Sequence, residues 1–117
     1  MTDKPIRWIG SSRNDLMNFP DAVRKKVGFQ LRAVQIGDTP SDFKPMPTIG
    51  LGVEEIRIRT EDAYRIFYVA RFAEAVYVLH AFQKKTQKTS KLDIEIGQKR
   101  YQQMLQHQQS EKENMDK

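Results

Sequence analysis

Four lysines follow directly after the most apolar stretch of the chain. Residues 76–82 contain no side chain that is charged at neutral pH, so they are predicted to form a buried strand. Residues 83–91 then contain no acid and four lysines, namely Lys84, Lys85, Lys88 and Lys91. A sheet that presents several cations at one edge can bind a polyanion, and nucleic acids are the commonest polyanions of a cell. The exit of this strand is therefore predicted to be a binding surface.

The remaining charges are less specific. The chain has a formal net charge of +5, which favours an anionic partner. Residues 22–36 hold four cations and no acid, namely Arg24, Lys25, Lys26 and Arg32. A run of this kind is more typical of a solvated helix face than of a binding surface. Residues 84–100 hold six cations against Asp93 and Glu95, and their position after a strand favours a function.

The composition excludes several classes of protein. There is no cysteine, so disulfides and thiolate metal sites are ruled out. His80 and His107 are too far apart in sequence to build a zinc site alone, and neither a metal nor a cofactor is expected. No apolar run approaches the roughly 20 residues of a membrane-spanning helix, and the N-terminus lacks a secretory core, so we expect a cytoplasmic protein. The length of 117 residues predicts one domain, residues 1–109, with a disordered polar tail, residues 110–117.

The first part of the chain is predicted to contain a strand and a helical hairpin. Residues 6–9 form a short strand candidate, and Ser11 or Ser12 can cap a short helix after it. Pro20 suits the first turn of a second helix, and Gly37 is its natural end. The buried stripe of that helix recurs at helical spacing and comprises Val23, Val27, Leu31 and Val34.

A three-stranded meander is predicted in the second part. Residues 38–52 are rich in proline and glycine and predict a long ordered loop. Three strands follow, at residues 53–59, 64–70 and 76–82. The first strand alternates, with Ile56 and Ile58 on one face and a polar set on the other, namely Glu55, Arg57 and Arg59. The predicted class is α+β, with a small antiparallel sheet of this meander plus the N-terminal strand, its register fixed by the burial of one face.

A C-terminal helix completes the predicted fold. Ser90 can cap its first turn, with Asp93 three residues further on. Its apolar stripe is predicted to pack on the sheet or the helical hairpin and comprises Ile94, Gly97, Tyr101 and Leu105. Gly97 costs about 1 kcal/mol relative to alanine, so a close backbone approach is expected there. Lys99 and Arg100 are predicted to face solvent.

The order of strand, helical hairpin, proline-rich loop, meander and helix resembles the RelE/ParE superfamily of bacterial toxins. It is most similar to the phage-derived branch that includes HigB-type toxins. The residues that carry the resemblance lie at 52–57 and 64–68 in the meander, at 80–86 across the strand exit, and at 95–100 in the last helix. The resemblance covers roughly residues 5–105 and implies a RelE-like fold.

The resemblance also implies an activity. Messenger-RNA interferases of this family cut RNA on the ribosome without a metal, through attack of the 2′-hydroxyl on the adjacent phosphate. This chemistry needs a base, cations that stabilise the growing charge, and a proton for the leaving oxygen. The matching catalytic positions are Arg57, Arg65, Lys84 and Lys85. The residues expected to bind RNA are Arg59, Lys88 and Lys91. A lysine can act as the base where neighbouring cations or burial depress its pKa, and the identity of the base stays open.

Other residues allow two interpretations each. His80 could be a base, but its place in an apolar strand, in alternation with Val76, Val78 and Phe82, favours a core histidine. His107 is expected to be inert, and Glu55 is interpreted as an ion-pair partner. RelE has a tyrosine before its last helix, where this chain has Thr89, Ser90 and Lys91. Five aromatic residues could stack on bases but are more typical of a core: Tyr64, Phe67, Tyr68, Phe72 and Tyr77.

Three functions follow from the sequence. The leading one is a ribosome-dependent endoribonuclease toxin of a type II toxin–antitoxin system, which inhibits translation and is masked by an antitoxin, expected to be a helix-turn-helix protein. The second is a ParE-like inhibitor of DNA gyrase, which would not need the lysines at the strand exit. The third is a phage-derived module without enzymatic activity that binds only nucleic acid or its antitoxin.

Overall fold

The computed structural model describes residues 3–115, which form a mixed five-stranded sheet with helices on both faces. The elements in chain order are β1 (Ile6–Trp8), α1 (Ser12–Met17), α2 (Asp21–Gln35), β2 (Phe43–Pro45), β3 (Val53–Arg59), β4 (Ala63–Val69), β5 (Val76–Lys84) and α3 (Lys91–Met115). The sheet order is β1-β5-β4-β3-β2, with β1 parallel to β5 and the other neighbours antiparallel. The α+β class and the meander agree with the sequence prediction. No helix within residues 3–115 is both long and apolar enough to cross a membrane.

A fifth strand lies inside the segment predicted to be a loop. β2 pairs with β3 and places Lys44 opposite Glu55, while all three of its residues are exposed. Pro45 is tolerated because β2 is the outer edge of the sheet, where a missing N–H removes no internal ladder bond. The proline content that indicates a loop is therefore also compatible with a short edge strand, and the prediction of four strands is corrected to five.

The two N-terminal helices cover one face of the sheet. The predicted stripe of α2 is buried against β3 and β4, together with Ile56, Ile58 and Ile66. Gly37 follows the helix with φ +93°, a backbone conformation in which glycine is favoured. The serine cap predicted for α1 is not formed. Ser11 Oγ instead donates to the Asp15 carboxylate, and Ser12 Oγ donates to the Val78 carbonyl.

The C-terminal helix covers the opposite face. Gly97, Tyr101 and Met104 are buried, and the ring of Phe67 lies so close that a Cβ on Gly97 would be 2.9 Å from its Cδ2 atom. The predicted close approach at Gly97 is confirmed. Tyr101 also donates its hydroxyl to the Leu51 carbonyl at 3.1 Å. Both faces of the sheet are thus buried in part, whereas the sequence predicts one buried face.

Two predictions for α3 need correction. Arg100 is predicted to face solvent, but its guanidinium donates to the Leu79 carbonyl at 3.0 Å and to Ser11 Oγ at 2.7 Å. The helix also continues through Met115, into the segment predicted to be a disordered tail, and an ion pair joins Arg7 on β1 to Glu111. Residues 116–117 of that predicted tail lie outside the described residues.

A bulge in β5 changes the faces that its side chains occupy. His80 pairs with Phe67 and Val78 pairs with Tyr68, so Leu79 is an extra residue in the β4–β5 ladder. Val78 therefore packs with the α2 side, while Leu79 and Phe82 pack with the α3 side. The predicted alternation of His80 with Val76 and Val78 is wrong because the pairing shifts by one residue at this point.

Candidate nucleic-acid interface

Three predicted catalytic residues gather around a buried carboxylate at one end of the sheet. Glu55 Oε1 lies 3.5 Å from Nε of Arg65 and 3.7 Å from Nε of Arg57. Lys44 lies opposite Glu55 across the β2–β3 pair, and Lys84 is the last residue of β5. Lys84 pairs with Ala63, two residues from Arg65 along β4. We call Lys44, Glu55, Arg57, Arg65 and Lys84 the cationic cluster.

Strand register explains why these side chains meet. The alternation of β3 places Glu55 and Arg57 on the face turned away from α2, and antiparallel pairing puts Arg65 directly opposite Arg57. α3 packs on this face at Phe67, two residues from Arg65 along β4. The cationic cluster therefore lies where the coverage by α3 gives way to the end of the sheet.

The cluster has more hydrogen-bonding capacity than the chain itself uses. Glu55 and Arg65 are each only 3% exposed, and Arg65 Nη1 donates to the Tyr64 carbonyl at 3.0 Å. Among the described residues, three buried atoms of the cluster lack a hydrogen-bond partner: Glu55 Oε2, Arg57 Nε and Arg65 Nε. Asp42 Oδ1 lies 3.8 Å from Arg57 Nη1, too far for a hydrogen bond. Two of these atoms, Arg57 Nε and Arg65 Nε, face Glu55 Oε1, so they are ion-paired with it without a well-formed hydrogen bond.

The electrostatics of the cluster favour an anion. Burial raises the pKa of Glu55, and the positive charge of Arg65 opposes this shift. Burial also lowers the pKa of Arg65. The pKa of Lys84 is lowered by desolvation and then by the neighbouring charge of Arg65. An anion bound among these cations relieves their mutual repulsion, and a lysine with a lowered pKa is more often neutral, and so free to accept a proton, than an ordinary lysine.

The other predicted site residues lie outside this cluster. Lys85, Lys88 and Lys91 belong to the segment that runs from the end of β5 into the start of α3. A cavity of about 190 Å³ there is lined in part by Lys84, Lys85 and Asp93. Lys91 Nζ lies 4.0 Å from a carboxylate oxygen of Glu95 on the next helical turn. The predicted residues thus divide between a cluster around the buried Glu55 and Arg65 and a basic segment at the surface.

Arg59 belongs to neither group. It is the last residue of β3, and its exposed side chain lines a separate groove beside α2 together with Lys25 and Lys26. The two lysines come from the run that the sequence favours as a solvated helix face. The fold thus brings the positive charges of Lys25, Lys26 and Arg59 together, although they are more than thirty residues apart in the chain.

His80 is packed in the core and connects β5 with the start of α3. It is 5% exposed, its Nε2 lies 2.7 Å from Asp93 Oδ1, and its ring stacks on Phe82 at a centroid distance of 4.8 Å. Burial lowers its pKa, against the opposing effect of Asp93. Asp93 also accepts from Ser90 Oγ, while Ser90 Oγ accepts from the Asp93 backbone N–H, which is the predicted helix cap. The core interpretation of His80 fits this environment.

Sequence reasoning misses two features of the cluster. Lys44 is not predicted as a member of the cluster because the segment that forms β2 is interpreted as a loop. Glu55 is correctly interpreted as an ion-pair partner, but its near-complete burial is not expected from a strand face predicted to be polar. The sequence does contain a clue to the role of Glu55. The predicted pairing of β3 with β4 places two arginines at facing positions, and a nearby carboxylate is needed to balance their charge. The five aromatic residues considered for base stacking are instead in or against the core: Tyr64, Phe67, Tyr68, Phe72 and Tyr77.

Comparison with known proteins identifies the family. The family model described as "Phage derived protein Gp49-like (DUF891)" matches residues 14–102. This match spans most of the chain, from α1 to the middle of α3. The chain therefore belongs to the Gp49-like family of phage-derived proteins. A search of curated proteins finds no significant match. Within the described residues, no group of three or more potential metal-ligating side chains comes together.

Proposed function

We propose that this chain is a HigB-like toxin of the RelE/ParE superfamily and that it cleaves messenger RNA on the ribosome. The observation that carries the proposal is the cationic cluster, in which Arg57 and Arg65 flank a buried glutamate and Lys84 ends the strand that pairs with β4. Membership of a phage-derived family supports the relationship at a coarser level. A RelE-like fold for the five-stranded sheet is part of the same proposal.

The proposed reaction is an internal transfer at phosphorus. The 2′-oxygen of the ribose bonds to the adjacent phosphorus, and the bond from phosphorus to the 5′-oxygen breaks. The products are a 2′,3′-cyclic phosphate and a 5′-hydroxyl end. Lys84 in its neutral form accepts the proton of the 2′-hydroxyl, which its lowered pKa favours. The ammonium group of Lys85, the next residue along the chain, is the candidate that gives a proton to the leaving 5′-oxygen.

The arginines have an electrostatic task in this scheme. Negative charge grows on the phosphate oxygens during attack, and fixed donors in a water-poor site stabilise that charge more strongly than water does. Arg57 is the more accessible of the two guanidinium groups and would contact the phosphate. Arg65 lies deeper and holds Glu55, which in turn orients Arg57. Glu55 is thus assigned a positioning role. Arg65 stabilises the developing charge through its electric field, without contacting the phosphate.

The proposed partner is an antitoxin of the helix-turn-helix class. A toxin with an exposed cationic surface needs a mask, and an acidic segment fits Lys44 and Lys84 by charge. Contacts between such exposed charges weaken as salt screens them. We therefore expect the complex to dissociate more readily at high ionic strength, whereas affinity that is indifferent to salt would indicate an apolar interface elsewhere.

Mapping of transcript ends after brief induction tests the proposed function in cells. The wild-type chain should produce new 5′ ends inside translated codons and arrest growth. Lys84→Ala should produce neither, while Lys112→Ala, which removes an exposed lysine near the far end of α3, should behave as the wild type. Intact transcripts together with broken chromosomal DNA would instead indicate a gyrase inhibitor, and intact RNA and DNA would indicate a binding module without catalysis.

A further inference from the structure

A second cationic surface lies on the other side of Arg57. It is a groove of about 430 Å³ between α2 and the last residues of β3. We call it the α2–β3 groove, and the residues that matter here are Lys25, Lys26, Phe29, Arg57, Ile58 and Arg59. Four of these six side chains are cations and none is an acid. The groove is therefore positive. Arg57 lines it where β3 extends past its pairing with β2, although the Arg57 side chain reaches Glu55 on the face turned away from α2.

Phe29 gives the groove an unusual apolar wall. Its side chain is 74% exposed, although it lies on a helix whose other apolar residues at positions 23, 27, 31 and 34 are buried. A large exposed ring beside cations is a combination found where single-stranded nucleic acid binds, because a base stacks on the ring while phosphates contact the cations. Gln30, the next residue, is held by two hydrogen bonds with Ser41, at 3.0 and 2.7 Å, which fix the following loop against α2.

We propose that the α2–β3 groove binds an unpaired nucleotide of the RNA strand that passes through the cationic cluster. In this arrangement the base stacks on Phe29, and the flanking phosphates contact Lys25, Lys26 and Arg59. The inference rests on the proposed function, since the strand enters or leaves the groove by way of Arg57. In this proposal α2 helps to bind a part of the RNA that lies next to the cleaved bond.

The groove fits RNA better than it fits an acidic protein segment. A helix that docks in a groove uses apolar anchors repeated along three or more turns. Here the exposed apolar contact is concentrated in one ring, with positive charge on both walls. A nucleic-acid strand supplies one flat base and one phosphate per unit, which matches this pattern, and its path is continuous with the cluster through Arg57.

The test is equilibrium binding of a fluorescein-labelled RNA of about ten uridines to the full chain, followed by anisotropy over a salt series. Phe29→Ala should weaken binding about tenfold, within the range known for removal of a base stack, and Phe29→Tyr should restore it. Lys25→Gln and Lys26→Gln should each reduce the salt slope, by about 0.7 for every phosphate that the variant no longer neutralises. Lys112→Gln on α3 is the matched control and should leave both quantities unchanged.

Comparison of a groove variant with a cluster variant shows which of the two proposals fails. If Phe29→Ala binds RNA as the wild type does while Lys84→Ala loses cleavage, the groove is not a nucleotide site and the proposed function stands. If the wild type itself fails to bind the RNA, the inference is overturned. Reduced affinity for a glutamate-rich peptide in Phe29→Ala, with RNA binding intact, would also overturn it and assign the groove to a protein partner.

Discussion

Arg65 and Lys84 both belong to the cationic cluster but differ in how deeply they are buried. Arg65 is almost fully enclosed and shares Glu55 with Arg57, whereas Lys84 is only half-buried at the end of its strand. A buried charge that is deprived of its partner costs more than an exposed one, because no water takes the place of that partner. Arg65 therefore contributes to stability as well as to the proposed chemistry, while Lys84 is the cleaner position at which to test catalysis.

Replacement of Arg65 by alanine should destabilise the fold. The change leaves Glu55 buried with Arg57 as its remaining partner within the cluster at salt-bridge distance. We expect the free energy of unfolding to fall by about 3 kcal/mol, the typical cost of breaking a buried ion pair from one side. Urea unfolding at neutral pH measures this change.

Arg59→Ala is the matched control on the neighbouring strand. Arg59 is exposed at the end of β3, so its removal should change the unfolding free energy by no more than about 0.5 kcal/mol. Equal stability of Arg65→Ala and Arg59→Ala would show that the Glu55 ion pairs contribute nothing to the fold.

At the scale of the elements, several contacts hold α3 to the sheet, and two of them can be tested separately. Gly97 lies against the ring of Phe67, and Asp93 at the start of the helix contacts His80 on β5. The first contact requires the absence of a side chain, and the second depends on the protonation of histidine. Neither contact includes a residue of the cationic cluster.

Gly97→Ala should destabilise the protein even though alanine is the better helix former. The new Cβ would lie 2.9 Å from Phe67 Cδ2 and 3.2 Å from Ile49 Cδ1, so the helix or the ring must move. Overpacking of this kind typically costs about 1–3 kcal/mol. The control is Gly28→Ala on α2, where a Cβ would meet nothing within 4 Å among the described residues apart from its own chain neighbours and helical backbone, so alanine should stabilise by about 0.5–1 kcal/mol. Thermal melts in which Gly97→Ala is as stable as the wild type, or more stable, would contradict the close packing of α3.

His80 should make stability depend on pH. Its pKa in the folded chain is lowered by burial below the ordinary value of 6.5. The unfolded chain therefore binds a proton at a higher pH than the folded chain does, and stability is lost as the pH falls below about 6.5 toward the lowered value.

Thermal melts at about pH 7.5 and about pH 5.5 measure this effect. His80→Gln retains an amide that can donate to Asp93 but does not titrate, so its melting temperature should fall less between the two conditions than that of the wild type, by about 3 °C. Coincident profiles for His80→Gln and the wild type would rule out His80 as the source.

At the scale of the whole molecule, the sequence predicts those features that depend on local patterns. The stripe of α2 and the alternation of β3 follow from helix and strand periodicity, and both are confirmed. β2 escapes prediction because Pro45 and its neighbours indicate a loop, and a strand of three residues has no periodicity of its own. The length of α3 also escapes, since contacts such as that between Glu111 and Arg7 on β1 become visible only in the folded chain.

The candidate site shows the same division. Arg57 and Arg65 can be placed opposite each other once the meander is predicted, and Lys84 follows from its position after an apolar strand. The enclosure of Glu55 depends on how neighbouring strands and loops cover it, which no local pattern records. The groove beside Phe29 depends on the packing of α2 against the end of β3, so the basic run in α2 is typical, in the sequence alone, of a solvated surface.

The rate of message cleavage by Lys84→Arg tests the central claim most directly. Arginine keeps the positive charge but stays protonated near neutral pH, so it can hold a phosphate without acting as a base. In a single-turnover assay on ribosomes bound to a defined message, this variant should retain RNA binding and lose cleavage by about a hundredfold or more. Lys112→Arg should cleave at the wild-type rate. Wild-type cleavage by Lys84→Arg would contradict the assignment of the base, and an intact message with the wild-type chain would contradict the proposed function itself.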